Sequence, residues 1–328
     1  MRNTFLAVMC VIGLCAVASY GQTAGPAGRG AGPAAPVVPN LATGKTMFWS
    51  ASDIEARWKE NEALKRNNSR LFNGPTNISA NVRIVVGDDP PLTHDTTADL
   101  WIVTAGTAVA RTDGKIVESG GRPSIGNATV RMVRTGDVLY VPPGIAHHFT
   151  EMNGFRAWLM RFDTVGLVRT KPAPAAAAPG RGRGGADPEP IPNLAADKTM
   201  FWPAADLEAR WKENERLKRI NSRIFNGPAN ISANVRIVLD GDPPLTHEET
   251  ADLWLVTTGT AVAETDGEIV DAKVRNGMTR PVRAGDLLYV PPGVPHHFTD
   301  MKGFRAWLIR YDVEGWAQSI QPAGRGAQ

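Results

Sequence analysis

Six histidines occur in the 328-residue chain, His94, His147, His148, His247, His296 and His297, and they are confined to two kinds of stretch. One runs from Gly136 to Phe149, G-D-V-L-Y-V-P-P-G-I-A-H-H-F, and returns as G-D-L-L-Y-V-P-P-G-V-P-H-H-F from Gly285 to Phe298. The other lies upstream, between Pro90 and Gly106, where His94 precedes Asp99; its copy carries His247 and Asp252. Imidazoles used only for packing would be scattered. His94, Asp99 and His147 supply two neutral imidazoles and one carboxylate with positions left open. That set suits a divalent first-row metal that also binds water or substrate. His247, Asp252 and His296 repeat it. A metal-free pocket is the competing reading, and the donors leave the metal open among Fe, Mn, Zn, Ni and Cu.

The surrounding elements must deliver these groups. Val138 to Val141 is an apolar strand entering a Pro-Pro-Gly turn; the prolines fix φ and Gly144 permits the reversal that brings His147 to one point. Successive strand residues face opposite sides, so His148 and His297 point away from any pocket holding His147 and His296, as structural side chains. After Pro75 the pattern has period two, with Ile78, Ala80, Val82, Ile84 and Val86 on one face. This leaves two readings of Arg83 and Arg236: inward anchors for a substrate carboxylate, or outward charges. Tyr140 and Glu151, with Tyr289 and Asp300 in the copy, are candidate acids or bases if they reach the pocket. Burial or surface exposure explains them equally. Trp101 and Trp158 sit in apolar runs and read as core.

Further strands are expected at Leu100 to Val103, Thr107 to Arg111 (ending in a Thr-Asp-Gly turn), Val130 to Val133, Val138 to Val141, His148 to Met152 and Arg156 to Phe162. Many short strands between Gly, Pro and Asp turns indicate a sandwich or barrel. Each half opens with a short helix, capped by Ser52 or Asp53 in the first and by Asp206 in the second. Glu55–Lys59, Glu62–Arg66, Glu208–Lys212 and Glu215–Arg219 are i,i+4 pairs on its exposed side, while Ile54 and Trp58 make its apolar contact.

The chain is duplicated. Pro39 to Trp49 recurs at Pro192 to Trp202, and N-I-S-A-N-V-R-I-V is repeated unchanged at Asn77 and Asn230. Gly114 corresponds to Gly267 but Gly136 to Gly285, so the second copy is four residues shorter between those points. One repeat of this size means two like domains: 40–168 and 193–316. A Pro/Ala/Gly-rich linker at 169–192 joins them, with a Gly/Ala/Pro leader at 22–39 and a tail at 317–328. Residues 1–21 read as a secretory signal, with Arg2, an apolar run from Phe5 to Ala18, and small Ser19 and Gly21 before Gln22. The run is shorter than the ~20 residues of a bilayer span. The expected protein is exported, periplasmic or secreted, with no membrane attachment in its mature form. Both cysteines, Cys10 and Cys15, lie in the signal, so the mature chain would hold neither disulfide nor thiolate ligand. A net charge of +3 is too small to predict nucleic-acid binding.

The two stretches resemble the paired motifs of the cupin superfamily, and the chain resembles a bicupin. Family motif one has the form G-x5-H-x-H-x(3,4)-E-x6-G, and motif two G-x5-P-x-G-x2-H-x3-N. Gly136, Pro142, Gly144 and His147 match motif two, as do Gly285, Pro291, Gly293 and His296. From its second histidine, motif one is matched by His94, Asp99 and Gly106, then His247, Asp252 and Gly259. The departures are Leu92 and Leu245 for the first histidine, aspartate for glutamate, and Glu151 and Asp300 for the last asparagine. The resemblance implies jelly-roll β-barrels, so the expected protein is all-β, two tandem barrels each preceded by the short α-helix; a sheet edge shared between them is expected because a paired edge is safer than an exposed one. It also implies oxygenase, isomerase or lyase chemistry on a small sugar or organic acid. A binding protein without turnover and a structural or assembly protein with vestigial pockets remain the other readings. Expected partners are a small-molecule ligand or substrate and further copies of the chain in a homo-oligomer.

Overall fold

The computed structural model describes residues 38–74, 79–84, 90–171, 191–238 and 242–318. The expected signal, and most of the leader, linker and tail, lie outside the described residues. The first repeat runs β1 (Met47–Trp49), α1 (Ala51–Ala63), β2 (Asn68–Asn73), β3 (Ser79–Ile84), β4 (Thr97–Ser119), β5 (Arg122–Gly126), β6 (Thr129–Arg134), β7 (Val138–Val141), β8 (Ala146–Asp163) and β9 (Leu167–Arg169). The second runs β10 (Met200–Trp202), α2 (Ala204–Leu217), β11 (Asn221–Asn226), β12 (Ser232–Ile237), β13 (Thr250–Thr265), β14 (Glu268–Val270), β15 (Lys273–Arg275), β16 (Met278–Arg283), β17 (Leu287–Val290), β18 (His296–Asp312) and β19 (Trp316–Gln318). The protein is all-β, with two jelly-roll barrels and, among the described residues, one α-helix in each repeat.

Several expected short strands are parts of longer ones. Leu100–Val103 and Thr107–Arg111 both belong to β4, whose register shifts repeatedly against β8 as the two bend together. No turn ends the strand at Thr112 to Gly114. Asp113 adopts φ 63° there, and the chain continues into a hairpin with β5. The four extra residues of the first repeat lie in this hairpin, Lys115 to Gly126 against Glu268 to Arg275 in the second.

Edge sharing takes the form of exchange. β1 pairs antiparallel with β17 of the other repeat (Met47 opposite Tyr289), and β10 pairs with β7 (Met200 opposite Tyr140). The sheets therefore run β10-β7-β4-β8-β3-β2 and β1-β17-β13-β18-β12-β11. Residues Arg169, Ala317 and Gln318, expected in linker and tail, belong to the β9–β19 ribbon that ties the two repeats' ends.

Alternation sorts the side chains into three cores. Trp101, Val103, Leu139, Phe149 and Leu159 fill the first barrel, and Trp254, Val256, Leu288, Phe298 and Leu308 the second. The opposite strand faces, including Leu100, Ile102, Tyr140, Met160 and Phe162, meet their counterparts Leu253, Leu255, Tyr289, Ile309 and Tyr311 in one core between the barrels. In β3 the apolar residues Ala80 and Val82 belong to this seam. Its polar residues are left for the barrel side, the reverse of a surface strand.

The helices are also fixed across the seam. Ser50, not Ser52 or Asp53, caps α1, and Asp53 answers it in a reciprocal capping box. α2 starts after Pro203 with no side-chain cap of its own, so Asp206 does not cap it. Instead the Ala204 N–H donates to Asp137 Oδ1 at 2.7 Å, and the Ala51 N–H to Asp286 Oδ1 at 2.7 Å. A Cβ on Gly136 or Gly285 would lie 2.8 Å from the Ala204 or Ala51 side chain, and both glycines have φ 91°. The Gly-Asp that opens each histidine stretch thus builds the joint between barrels. Glu55–Lys59 and Glu208–Lys212 form as expected, at 3.8 Å. Glu62 and Glu215 turn instead to Arg156 and Arg305, and Arg66 to Glu60. Trp58 packs edge-on against Trp158.

Candidate metal centre

His94 lies in the loop before β4. Leu92 and His147 bond each other's backbones at 3.1 and 3.0 Å, and the Gly144 N–H donates to the His94 carbonyl at 2.7 Å. Gly144 has φ 77°, so the Pro-Pro-Gly turn both starts β8 and fastens the two histidine stretches together. The second repeat has the same bonds, Leu245 with His296 and Gly293 with His247. Asp99 stands on β4 between Val141 of β7 and Arg161 of β8, and Asp252 stands between Val290 and Arg310.

Each expected triad is assembled. Asp99 Oδ2 lies 3.5 Å from His94 Nε2 and 3.4 Å from His147 Nε2; for Asp252 the distances are 3.6 Å to His247 and 3.3 Å to His296. The carboxylates are fully buried, while His94 and His247 keep 18% and 26% of their side-chain surface. The proton positions follow from the partners. His147 Nδ1 is 3.0 Å from the Ile145 carbonyl, which only accepts, so Nδ1 carries a proton and the neutral ring presents its lone pair at Nε2. His94 Nε2 is 3.0 Å from Arg161 Nη2, which only donates, so this nitrogen is also unprotonated.

Lone pairs therefore converge from three sides, and His296 Nε2 is buried without a hydrogen-bond partner. Ligands held ~2.1 Å from one ion at tetrahedral angles stand ~3.4 Å apart. The donor spacing and the orphaned nitrogen both fit a divalent metal. His147 and His296 already have the second hydrogen bond that orients a metal-bound imidazole.

Arg161 and Arg310 belong to the sites and were missed from sequence. Arg161 Nε donates to Asp99 Oδ1 at 2.9 Å and Nη2 to Oδ2 at 3.2 Å; the Arg310–Asp252 bonds are 2.7 and 2.9 Å. Burial alone would push the Asp99 carboxyl up. The Arg161 guanidinium outweighs it, holding Asp99 well below the usual carboxylate range. Asp252 is held low against burial in the same way by Arg310. The available signal was a lone charge inside an apolar strand, W-L-M-R-F and W-L-I-R-Y, with the parity of the inward-facing Leu159 and Leu308.

The remaining candidates divide. Arg83 faces inward, its guanidinium 5.4 Å from the centre of the Trp101 ring, and Arg236 lies 5.1 Å from Trp254. Arg236 lines a small cavity with His296 and Arg310. Burial, and then the charge of Arg310, lower its pKa to about 10. Tyr140 and Tyr289 face the seam, packed on Phe225 and Phe72, and burial raises both phenols. Glu151 is exposed and pairs with Arg111 at 3.6 Å; Asp300 is exposed on the outer surface beside Phe48 and Lys302. These four lie away from the triads. His148 stands opposite Arg111 on β4, and His297 lies 3.5 Å from Glu264, both outside the donor clusters.

No protein-family model and no curated protein matches the sequence. Among solved structures, a variant of the salicylate 1,2-dioxygenase of Pseudoaminobacter salicylatoxidans, in complex with gentisate, superposes with a TM-score of 0.51 at 12% identity, covering 83% of each chain. A cupin 2 conserved barrel domain protein from Leptotrichia buccalis gives 0.44 at 10% identity, covering 75% of this chain and 88% of that one. Bacillus subtilis oxalate decarboxylase gives 0.40 at 14%, covering 85% and 80%. The likeness to these structures is one of fold: two jelly-roll barrels in one chain. No helix among the described residues is long and apolar enough to cross a membrane.

Proposed function

We propose that this chain is an exported bicupin that binds one divalent metal in each barrel and acts on a small organic acid or sugar. His94, Asp99 and His147 hold the first ion; His247, Asp252 and His296 hold the second. The observation that carries the reading is the convergence, in both repeats, of two imidazole nitrogens and one carboxylate oxygen at ligand spacing. A bound metal supplies Lewis acidity to a ligand on its open positions. The protein's part is to keep the imidazoles in one tautomer, to hold the carboxylate ionised, and to leave His94 and His247 reachable from solvent. The test is elemental analysis of the chain from Gln22, purified without chelator or nickel resin, beside a His94→Ala/His247→Ala variant. About one metal per barrel, lost in the variant, is expected. A metal-free protein that also refuses iron, manganese, zinc, nickel and copper on anaerobic loading would end the reading.

A second reading, capture of a ligand without turnover, is favoured by one observation. Tyr140, Tyr289, Glu151 and Asp300 lie away from the triads, so none of these four supplies an acid or base there. Substrate consumption by the metal-loaded protein decides between the two.

A further inference from the structure

In both barrels a guanidinium stands among the donor atoms. Arg161 Nη2 is shared between Asp99 Oδ2 and His94 Nε2, at 3.2 and 3.0 Å, and Arg310 Nη2 between Asp252 Oδ2 and His247 Nε2, at 2.9 and 2.7 Å. These are two of the three atoms assigned to the metal in each site. The same contact arises in both barrels. Arginine stays charged at any pH a protein survives, so it cannot step aside by losing its proton. With neutral imidazoles, each site carries one carboxylate and one guanidinium and sums to zero charge. A dication taking the three donor atoms would break the Nη2 bonds and raise the cluster to a net double positive charge. It would do so around a fully buried carboxylate, where screening by water is weak.

The second barrel has space for what would cancel that charge. A cavity of about 460 Å³ opens over His247 and Arg310, walled by Arg223, Asn226, Ser232 and Thr250. On its inner side Arg310 also borders buried Arg236, which is paired with Asp242 at 3.6 Å. Among the described residues, the charged side chains that line the larger cavity are Arg223 and Arg310.

We infer that Arg161 and Arg310 make metal occupancy conditional on a small carboxylate or similar oxyanion, the two ligands binding as a pair and each poorly alone. The inference rests on the metal reading above and names the ligand class for the same sites. The arginine acts as a positioning residue: it holds Asp99 or Asp252 when the metal is absent, and turns to the anion when the metal enters. Coupling of this kind is reciprocal, so the anion must also bind more tightly when metal is present.

The experiment titrates zinc(II) into the metal-free full mature chain, in perchlorate salt to exclude coordinating anions, with either acetate or its neutral isostere acetamide. Zinc is the probe because mixed nitrogen and oxygen sites bind it more tightly than manganese or iron. Affinity is read by competition with a chromophoric chelator. Acetate should tighten zinc binding on the order of tenfold and acetamide should not. An Arg161→Met/Arg310→Met variant, checked for folding by circular dichroism, should bind zinc more tightly without acetate and lose the acetate effect. Arg161→Lys/Arg310→Lys replaces it if the methionine variant does not fold, with a weakened acetate effect expected. Equal zinc affinity in acetate and acetamide overturns the inference. So does an acetate effect of undiminished size in whichever variant folds. Zinc bound by the methionine variant but never by the wild type also overturns the coupling while sparing the metal reading. Zinc bound by neither protein ends both.

Discussion

Asp99 and Asp252 are the residues on which each centre turns, and their titration is open to test without any metal. Both carboxyls are held below their unfolded value of about 3.9. A carboxyl depressed in this way stabilises the fold fully above its unfolded pKa and loses that contribution as pH falls through the folded one. In chelator-containing buffer the wild type should hold its denaturation midpoint down to about pH 4 and then lose stability. Asp99→Asn should cost about 3 kcal/mol at neutral pH, because Arg161 is left beside an uncharged partner, and should flatten the acid limb. A variant with the wild-type slope below that pH would show that the low pKa contributes nothing to folding. The triads were legible in the sequence because histidine is rare here and its spacing repeats. Arg161 was not, because an arginine in W-L-M-R-F reads as one polar break in an apolar strand. Only the register of β4 against β8, which sets Asp99 opposite Arg161, shows what the charge is for.

At the level of elements, the helix ends show what a local reading misses. The capping groups sought for α1 and α2 were neighbours in sequence, whereas each first N–H is held by an aspartate of the opposite repeat, far along the chain. The aspartate in the Gly-Asp that opens each histidine stretch serves a helix N-terminus, where negative charge is favourable. The two helices differ in a way that can be measured. α1 has the Ser50–Asp53 box as well as Asp286, while α2 begins at Pro203 and depends on Asp137 alone. Asp137→Ala should therefore cost about 2 kcal/mol and Asp286→Ala about 1 kcal/mol. Urea denaturation of the two single variants checks the order. Equal losses would mean that the Ser50 box adds nothing once the cross-barrel bond is present. Strand existence was well read from alternation; strand length was not. A bend that keeps pairing through shifted register, as in β4 and β8, breaks the sequence pattern without ending the strand.

For the whole molecule, the duplication predicted two like domains, and the exchange of β1 and β10 changes what such a domain is. The exchanged strands have the same sequence, Met-Phe-Trp, at Met47 and Met200, and meet Tyr289 and Tyr140 in the same register. One repeat alone would lack the edge strand of its own sheet. It would also expose Leu100, Ile102, Tyr140, Met160 and Phe162, now buried against the other barrel. Yet it carries both halves of the exchange. Its β1 can take the place of β10 on the β7 of a second copy, and its Ala51 N–H can reach that copy's Asp137 as Ala204 does here. Identical surfaces that complement each other close into a two-fold dimer. Residues 38–171 expressed alone should therefore run as a dimer by light scattering, with a midpoint of unfolding that rises with concentration. Removing residues 38–50 should abolish that dimer and leave a poorly soluble chain. A folded, concentration-independent monomer of 38–171 would show that each repeat is complete without the other. The seam would then be a docked interface, and the Met-Phe-Trp strands incidental to the fold.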